Sequence, residues 1–167
     1  MIDITKLSIR YNVYKLDDSD VDRILELCKG NPQYYRYTEA EPEREEILND
    51  LHITPPGVDE SNKYYVGFYH NKELIAVLDL IDGYPKTEIA YIGFFMMNIR
   101  YHGEQIGTAI VDEVQNYLKS TGKAAIRLGI DKGNPQSTYF WRKNGFEMVS
   151  EVDVNGWTKI VAEKQLV

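Results

Sequence analysis

The chain has 167 residues, a formal net charge of −7 and one cysteine. That length suits one domain with a sizeable core and is too short for two full ones. A lone Cys28 excludes an internal disulfide, His52, His70 and His102 show no metal-ligand spacing, and an acidic chain without a basic stripe is a poor binder of nucleic-acid phosphates.

Residues 8–15 alternate apolar and polar side chains and predict a first strand. Asp17, Asp18, Ser19 and Asp20 then offer N-caps for a helix ending near Gly30, with Cys28 on its apolar face beside Val21, Ile24 and Leu25. A second helix is expected over residues 43–51, stopped by Pro55-Pro56-Gly57. Residues 63–69 and 73–80 read as a hairpin across His70-Asn71-Lys72, and residues 88–97 as a fourth strand. Ile106, Ile110, Val114, Tyr117 and Leu118 recur at helical spacing, which predicts a helix over residues 105–119 with Gly122 just beyond it. Residues 124–130 form a fifth strand. Asn134-Pro135 is a helix start, because the Asn side chain caps and the missing proline N–H would be unpaired anyway. Asn144-Gly145 closes that helix, and residues 146–154 and 157–165 flank Asn155-Gly156, a strong hairpin signal. The pattern predicts a single α/β domain over residues 1–167, with a mixed, mostly antiparallel sheet of about seven strands and about four helices.

Two segments carry the chemistry. In the first, the apolar run from Tyr91 to Met97 passes through Tyr101, His102, Gly103, Glu104, Gln105, Ile106, Gly107 and Thr108 into a helix. A glycine turn opening a helix presents unpaired N–H groups and the positive end of the helix dipole, which suits phosphate. In the second, Asn134, Phe140, Gly145 and Phe146 stand at the spacing Asn-x-x-Ala-x-x-Phe-Tyr-x-x-x-Gly-Phe, with Ser137 for the small residue and Trp141 where tyrosine is usual. Together the segments resemble the GNAT N-acetyltransferase superfamily, whose loop reads Arg/Gln-x-x-Gly-x-Gly/Ala; His102, Gln105 and Gly107 hold the matching positions here.

The resemblance implies acetyl-CoA as cosubstrate, a primary amine as acceptor and no metal. Residues 61–167 would be the acetyl-CoA-binding core and residues 1–60 the acceptor-side helices. The backbone from Gly103 to Thr108 would hold the pyrophosphate, with Gly107 small enough to allow its approach, and Phe95 to Met97 would pair with the pantetheine. Asn134 matches a position that contacts the cofactor, although its capping role alone would explain it. Trp141 would position rather than act as an acid, because an indole N–H keeps its proton near neutral pH. Glu88 and Asp79 are candidates for the base that relays a proton through water. Tyr34, Tyr35, Tyr37 and Glu39 would wall the acceptor pocket; aromatic rings with a carboxylate suit an organic cation.

The charge is uneven in a way that fits this division. Residues 1–60 hold 7 Lys/Arg against 14 Asp/Glu and carry the whole −7; residues 61–167 are neutral. The amino end shows no basic region followed by an apolar one, and no apolar run approaches about 18 residues. The expectation is a cytoplasmic protein without a membrane partner, and the sequence leaves a homodimer open. A competing reading is a catalytically weak acyl-CoA-binding sensor. A nucleotide-binding protein of another kind is disfavoured, because no Gly-Lys-Ser/Thr follows the turn.

Overall fold

Seven strands join in one sheet. In a computed structural model, which describes residues 1–37 and 40–166, they are β1 (Asn12–Lys15), β2 (Lys63–His70), β3 (Glu73–Asp82), β4 (Ile89–Met97), β5 (Ala125–Asp131), β6 (Glu147–Val154) and β7 (Trp157–Gln165). Their spatial order is β1-β2-β3-β4-β5-β7-β6, and every neighbouring pair is antiparallel except β4 with β5. The helices are α1 (Val21–Lys29), α2 (Pro32–Arg36), α3 (Arg44–Asp50), α4 (Ile106–Ser120) and α5 (Pro135–Lys143).

Each face of the sheet has its own helices. On one face Ile110, Val111, Val114 and Leu118 of α4 bury against Val66, Phe68, Ile75, Leu78 and Leu80. On the other Val21, Ile24, Leu27 and Cys28 of α1 and Ile47 of α3 cover Tyr65, Tyr69, Val77 and Met96. Apolar faces covered from both sides supply most of the stabilisation of such a layered domain. Cys28 is fully enclosed there, and burial pushes its thiol pKa up, as befits a core residue. The β6–β7 turn uses Asn155 and Gly156 at φ +53° and +83°, both in the left-handed region that a two-residue hairpin requires.

Three elements depart from the sequence pattern. The first strand begins at Asn12 rather than at residue 8, because the chain before it is tied to α4: Ser8 Oγ and Ile9 N both donate to the Glu113 carboxylate, at 3.0 and 2.9 Å. Helix α2 was not expected from periodicity and makes five helices rather than about four; it starts at Asn31-Pro32, the same local signal as Asn134-Pro135. Glu88 lies in the turn before β4, not in the strand.

The start of α4 packs tightly on the end of β4 and on α5. A side chain at Gly107 would meet Met97 Cγ and Phe140 Cε1, each at 3.3 Å, so this glycine serves close packing inside the protein rather than only the approach of a ligand. Gly107→Val is expected to destabilise the fold by about 1–3 kcal/mol through overpacking. Urea unfolding checks this, and a stability equal to or above wild type would contradict it.

Candidate active site

The site grows from a parting of two strands. β4 and β5 pair only from Ile89 opposite Ala125 to Ile92 opposite Leu128. Beyond that point β4 stays with β3, from Phe94 opposite Asp79 to Met97 opposite Ala76, while β5 stays with β7, from Gly129 opposite Val161 to Asp131 opposite Lys159. The β5-facing backbone groups of β4 are left without a strand partner, and such groups need another one; Met97 O finds it in Asn31 Nδ2 at 3.0 Å. The parting begins at Gly93, which is the extra residue of a bulge: Leu80 faces Ile92 and Asp79 faces Phe94. A side chain at Gly93 would lie 2.6 Å from Asp79 Oδ2 and would have to displace that carboxylate from Lys63.

Just past β4 the chain forms an anion-ready turn. Asn98 caps the short helix Ile99–Tyr101 by accepting from Arg100 N, and His102 N reaches Ile99 O at 3.2 Å. Gly103 and Gln105 then adopt φ of +79° and +62°. The next close backbone bond is Ala109 N to Gln105 O at 3.0 Å; among the described residues the amides from Gly103 to Thr108 have no close, well-aligned backbone acceptor, and no side chain caps α4. Lys143 Nζ reaches over this turn to Gln105 Oε1 at 2.6 Å and brings a positive charge beside the free amides. Amides, helix dipole and ammonium all favour an anion here.

A cavity of about 240 Å³ runs from this turn to the parting, lined by Phe95, Met96 and Met97 of β4, the loop around Gly103 and Gly107, and Ser137, Phe140, Trp141 and Lys143 of α5. Trp141 is 8% exposed and is held edge-on by Phe95, Phe140 and Phe146, with ring centroids 6.0, 4.9 and 5.1 Å away. A smaller cleft of about 90 Å³ fills the parting itself, between Gly93 to Phe95 and Gly129 to Asp131. Lys159 pairs with Asp131 at its rim.

Behind Gly93 lies a buried ion pair. Lys63 Nζ donates to Asp79 Oδ2 at 3.0 Å and to Ile53 O at 2.7 Å, while Asp79 Oδ1 is buried without a hydrogen-bond partner. Burial pushes the Asp79 carboxyl up to about 6 although the Lys63 ammonium pulls it back down.

The structure sorts the residues expected from sequence. Phe95, Met97, His102, Gly103, Gln105, Ile106, Gly107, Thr108, Trp141 and Tyr34 line the main cavity; Glu104 belongs to the same turn and is exposed. Asp79 sits directly behind the cleft. Glu88 does not join them: it is exposed, and five strand residues before Gly93 amount to about 16 Å. Asn134 is buried, caps α5 by accepting from Ser137 N at 3.1 Å, and keeps an unpartnered Nδ2, but it lines neither the main cavity nor the cleft. Tyr35 borders a different hollow beside Cys28 and Arg36, and Tyr37 borders none of these. Glu39 falls outside the described residues. Lys63 and Lys143 were missed, and both left signals. Lys63 shares the inward face of β2 with Tyr65, an unusual place for a charge; Gln136, Phe140 and Lys143 recur at helical spacing and all line the cavity.

Comparison with known proteins agrees with this geometry. The sequence pattern of the Acetyltransferase (GNAT) family matches residues 21–146. An uncharacterized N-acetyltransferase of Methanocaldococcus jannaschii is 31% identical over 81 residues; the match covers 48% of this chain and 35% of that protein, so the chain spans about a third of the relative's length. Among solved structures, an acetyltransferase from Thermus thermophilus superposes with a TM-score of 0.75 at 18% identity, covering 94% of this chain and 97% of that one. The PaiA N-acetyltransferase from Thermoplasma acidophilum in complex with coenzyme A gives 0.66 at 19% identity, covering 93% and 98%. Parted strands, acceptor-free turn and family pattern coincide in one region, and the chain belongs to the Acetyltransferase (GNAT) family.

Proposed function

We propose that this chain moves the acetyl group of acetyl-CoA to a primary amine, a small cationic metabolite or a protein amino group, by direct attack on the thioester. The observation that carries the reading is the run of acceptor-free amides from Gly103 to Thr108 opening onto the unpaired edge of β4. The residues present fit the cosubstrate. The amides of the turn and Lys143 would hold the pyrophosphate, and the backbone from Phe95 to Met97 N would pair with the amides of the pantetheine arm, Met97 O being already taken by Asn31 Nδ2 at 3.0 Å. The solved relative in complex with coenzyme A supports the same choice of ligand class.

Transfer requires a neutral amine held against the carbonyl, and most of the work is positioning. Trp141 would wall the thioester arm with its ring. Asp79 is the base we assign: it lies behind Gly93, retains a free lone-pair oxygen, and has a pKa near the range where a base both accepts and releases a proton. Tyr34 would face the acceptor. The acidic residues 1–60 favour a cationic one, because opposite charges within a Debye length of about 8 Å attract appreciably. Incubation with acetyl-CoA and a panel of amines, following thiol release, tests the proposal. Binding without release for every amine would favour the sensor reading, which the absence of a proton-releasing side chain at Trp141 motivates.

Two further outcomes follow from this assignment. Lys143→Glu puts a negative charge beside the amide turn and should weaken CoA binding about tenfold at low salt, with a smaller effect as salt is raised. Calorimetry reads it, and unchanged affinity would remove Lys143 from the phosphate site. For Asp79, the folded pKa of about 6 lies above an unfolded value of about 3.9. The native state therefore holds the extra proton between those values, and this group's ionisation subtracts stability as pH rises through them. Asp79→Asn, neutral throughout, strands Lys63 and starts from a lower stability, but its stability relative to wild type should rise between about pH 4 and 7, and it should lose the rising limb of kcat/KM near pH 6. A stability difference flat in pH would contradict the burial argument.

A further inference from the structure

The main cavity and the parting cleft meet at four residues that line both: Tyr34, Phe95, Ser137 and Trp141. This junction is where an arm running along β4 would deliver its sulfur to the parting. Breaking the thioester leaves negative charge on that sulfur, and a donor already aimed at it lowers the barrier. Phe95 has no donor. Tyr34 approaches from the far side on α2, its ring packed edge-on against Phe94 and Tyr35 with centroids 6.0 and 5.0 Å away. Among the described residues nothing hydrogen-bonds its hydroxyl. Ser137 offers only a short aliphatic hydroxyl, and its N–H is already given to the Asn134 cap.

We propose that Tyr34, rather than the indole N–H of Trp141 at the same junction, donates a hydrogen bond to the departing sulfur and is the catalytic residue that supports the thiolate. The proposal rests on the acetyl-transfer reading. As the acceptor nitrogen bonds to the carbonyl carbon, the carbon–sulfur bond breaks with its electron pair on sulfur. Tyr34 keeps its proton and shares it with the sulfur, which takes a proton from solvent on release; the proton lost by the nitrogen passes through water to Asp79 and on to solvent. Burial first, then the charges of Asp131, Cys28 and Asp50, keep the Tyr34 hydroxyl protonated, as a donor to an anion must be. Those groups come from β5, α1 and α3, with Lys159 of β7 facing the same cleft as the partner of Asp131 and Tyr35 beside the ring on α2.

The test is the acidity of bound coenzyme A. With CoA isotopically labelled at the carbon next to sulfur, NMR titration should find the bound thiol ionising about one pH unit lower in wild type than in Tyr34→Phe, because a donor to the charged form favours it. Tyr34→Phe keeps the ring and its packing, so KM for acetyl-CoA should stay within about twofold while kcat falls about tenfold or more. An identical thiol titration in wild type and Tyr34→Phe overturns the proposal, whatever happens to kcat; so does a Ser137→Ala or a Trp141→Phe protein that reproduces the whole shift. Failure of the underlying reading looks different: wild type would bind acetyl-CoA and release no thiol with any amine, and the titration of bound CoA would still be read.

Discussion

The separation of β4 from β5 is the constraint on which the site depends. One glycine and one carboxylate meet there: Asp79 occupies the space that a side chain at position 93 would need, and the parallel β4–β5 pairing stops at the bulge. A regular strand would have continued its ladder and closed the cleft. With the ladder ended, β4 offers free backbone groups along one edge, and the turn after it offers free amides at its tip. Both are costs to an isolated fold, since buried or dipole-aligned polar groups want partners. A long ligand with amides in the middle and phosphates at one end removes both costs together.

The buried Lys63–Asp79 pair behind the bulge shows how the fold tolerates this arrangement. Taking two charges out of water is expensive, and a pair of this kind is weak evidence for stability in itself; removing one partner commonly costs about 3–5 kcal/mol because the other is stranded. Its value here is positional. Lys63 holds Asp79 against Gly93 through one carboxylate oxygen and leaves the other free. The same carboxylate thus fills the space beside the backbone of Gly93 and, in the proposed reaction, serves as the base. On the other side of the cleft, Trp141 gains rigidity from three aromatic neighbours, so the wall of the cavity is a packed core feature rather than a mobile surface group.

Much of this was legible in the chain because it is local. The turn at Gly103 and Gly107, the Asn134-Pro135 helix start and the Asn155-Gly156 hairpin each declare themselves within a few residues, and the order of strands and helices follows from them. What escaped is nonlocal or short. The bulge at Gly93 exists only in the register between β3 and β4, and Lys63 meets Asp79 across a diagonal of the β2–β3 pair, where Tyr65 is the residue directly opposite. Helix α2 has five residues, too few for periodicity to reveal, so Tyr34 could be read as part of an aromatic wall but not as a group reaching the junction of two cavities. The sequence pattern makes Glu88 the first residue of the fourth strand, whereas the strand begins at Ile89. Distance along that strand, not chemistry, separates it from the cleft.

On this reading the parted edge of β4 and the amide turn act as one continuous ligand site. Backbone-amide NMR during titration with coenzyme A tests it most directly. The largest shifts should fall on residues 103–108 and along residues 93–97, in the same concentration range, with residues 147–165 little affected. Shifts confined to the turn, or centred on a different face of the sheet, would contradict it.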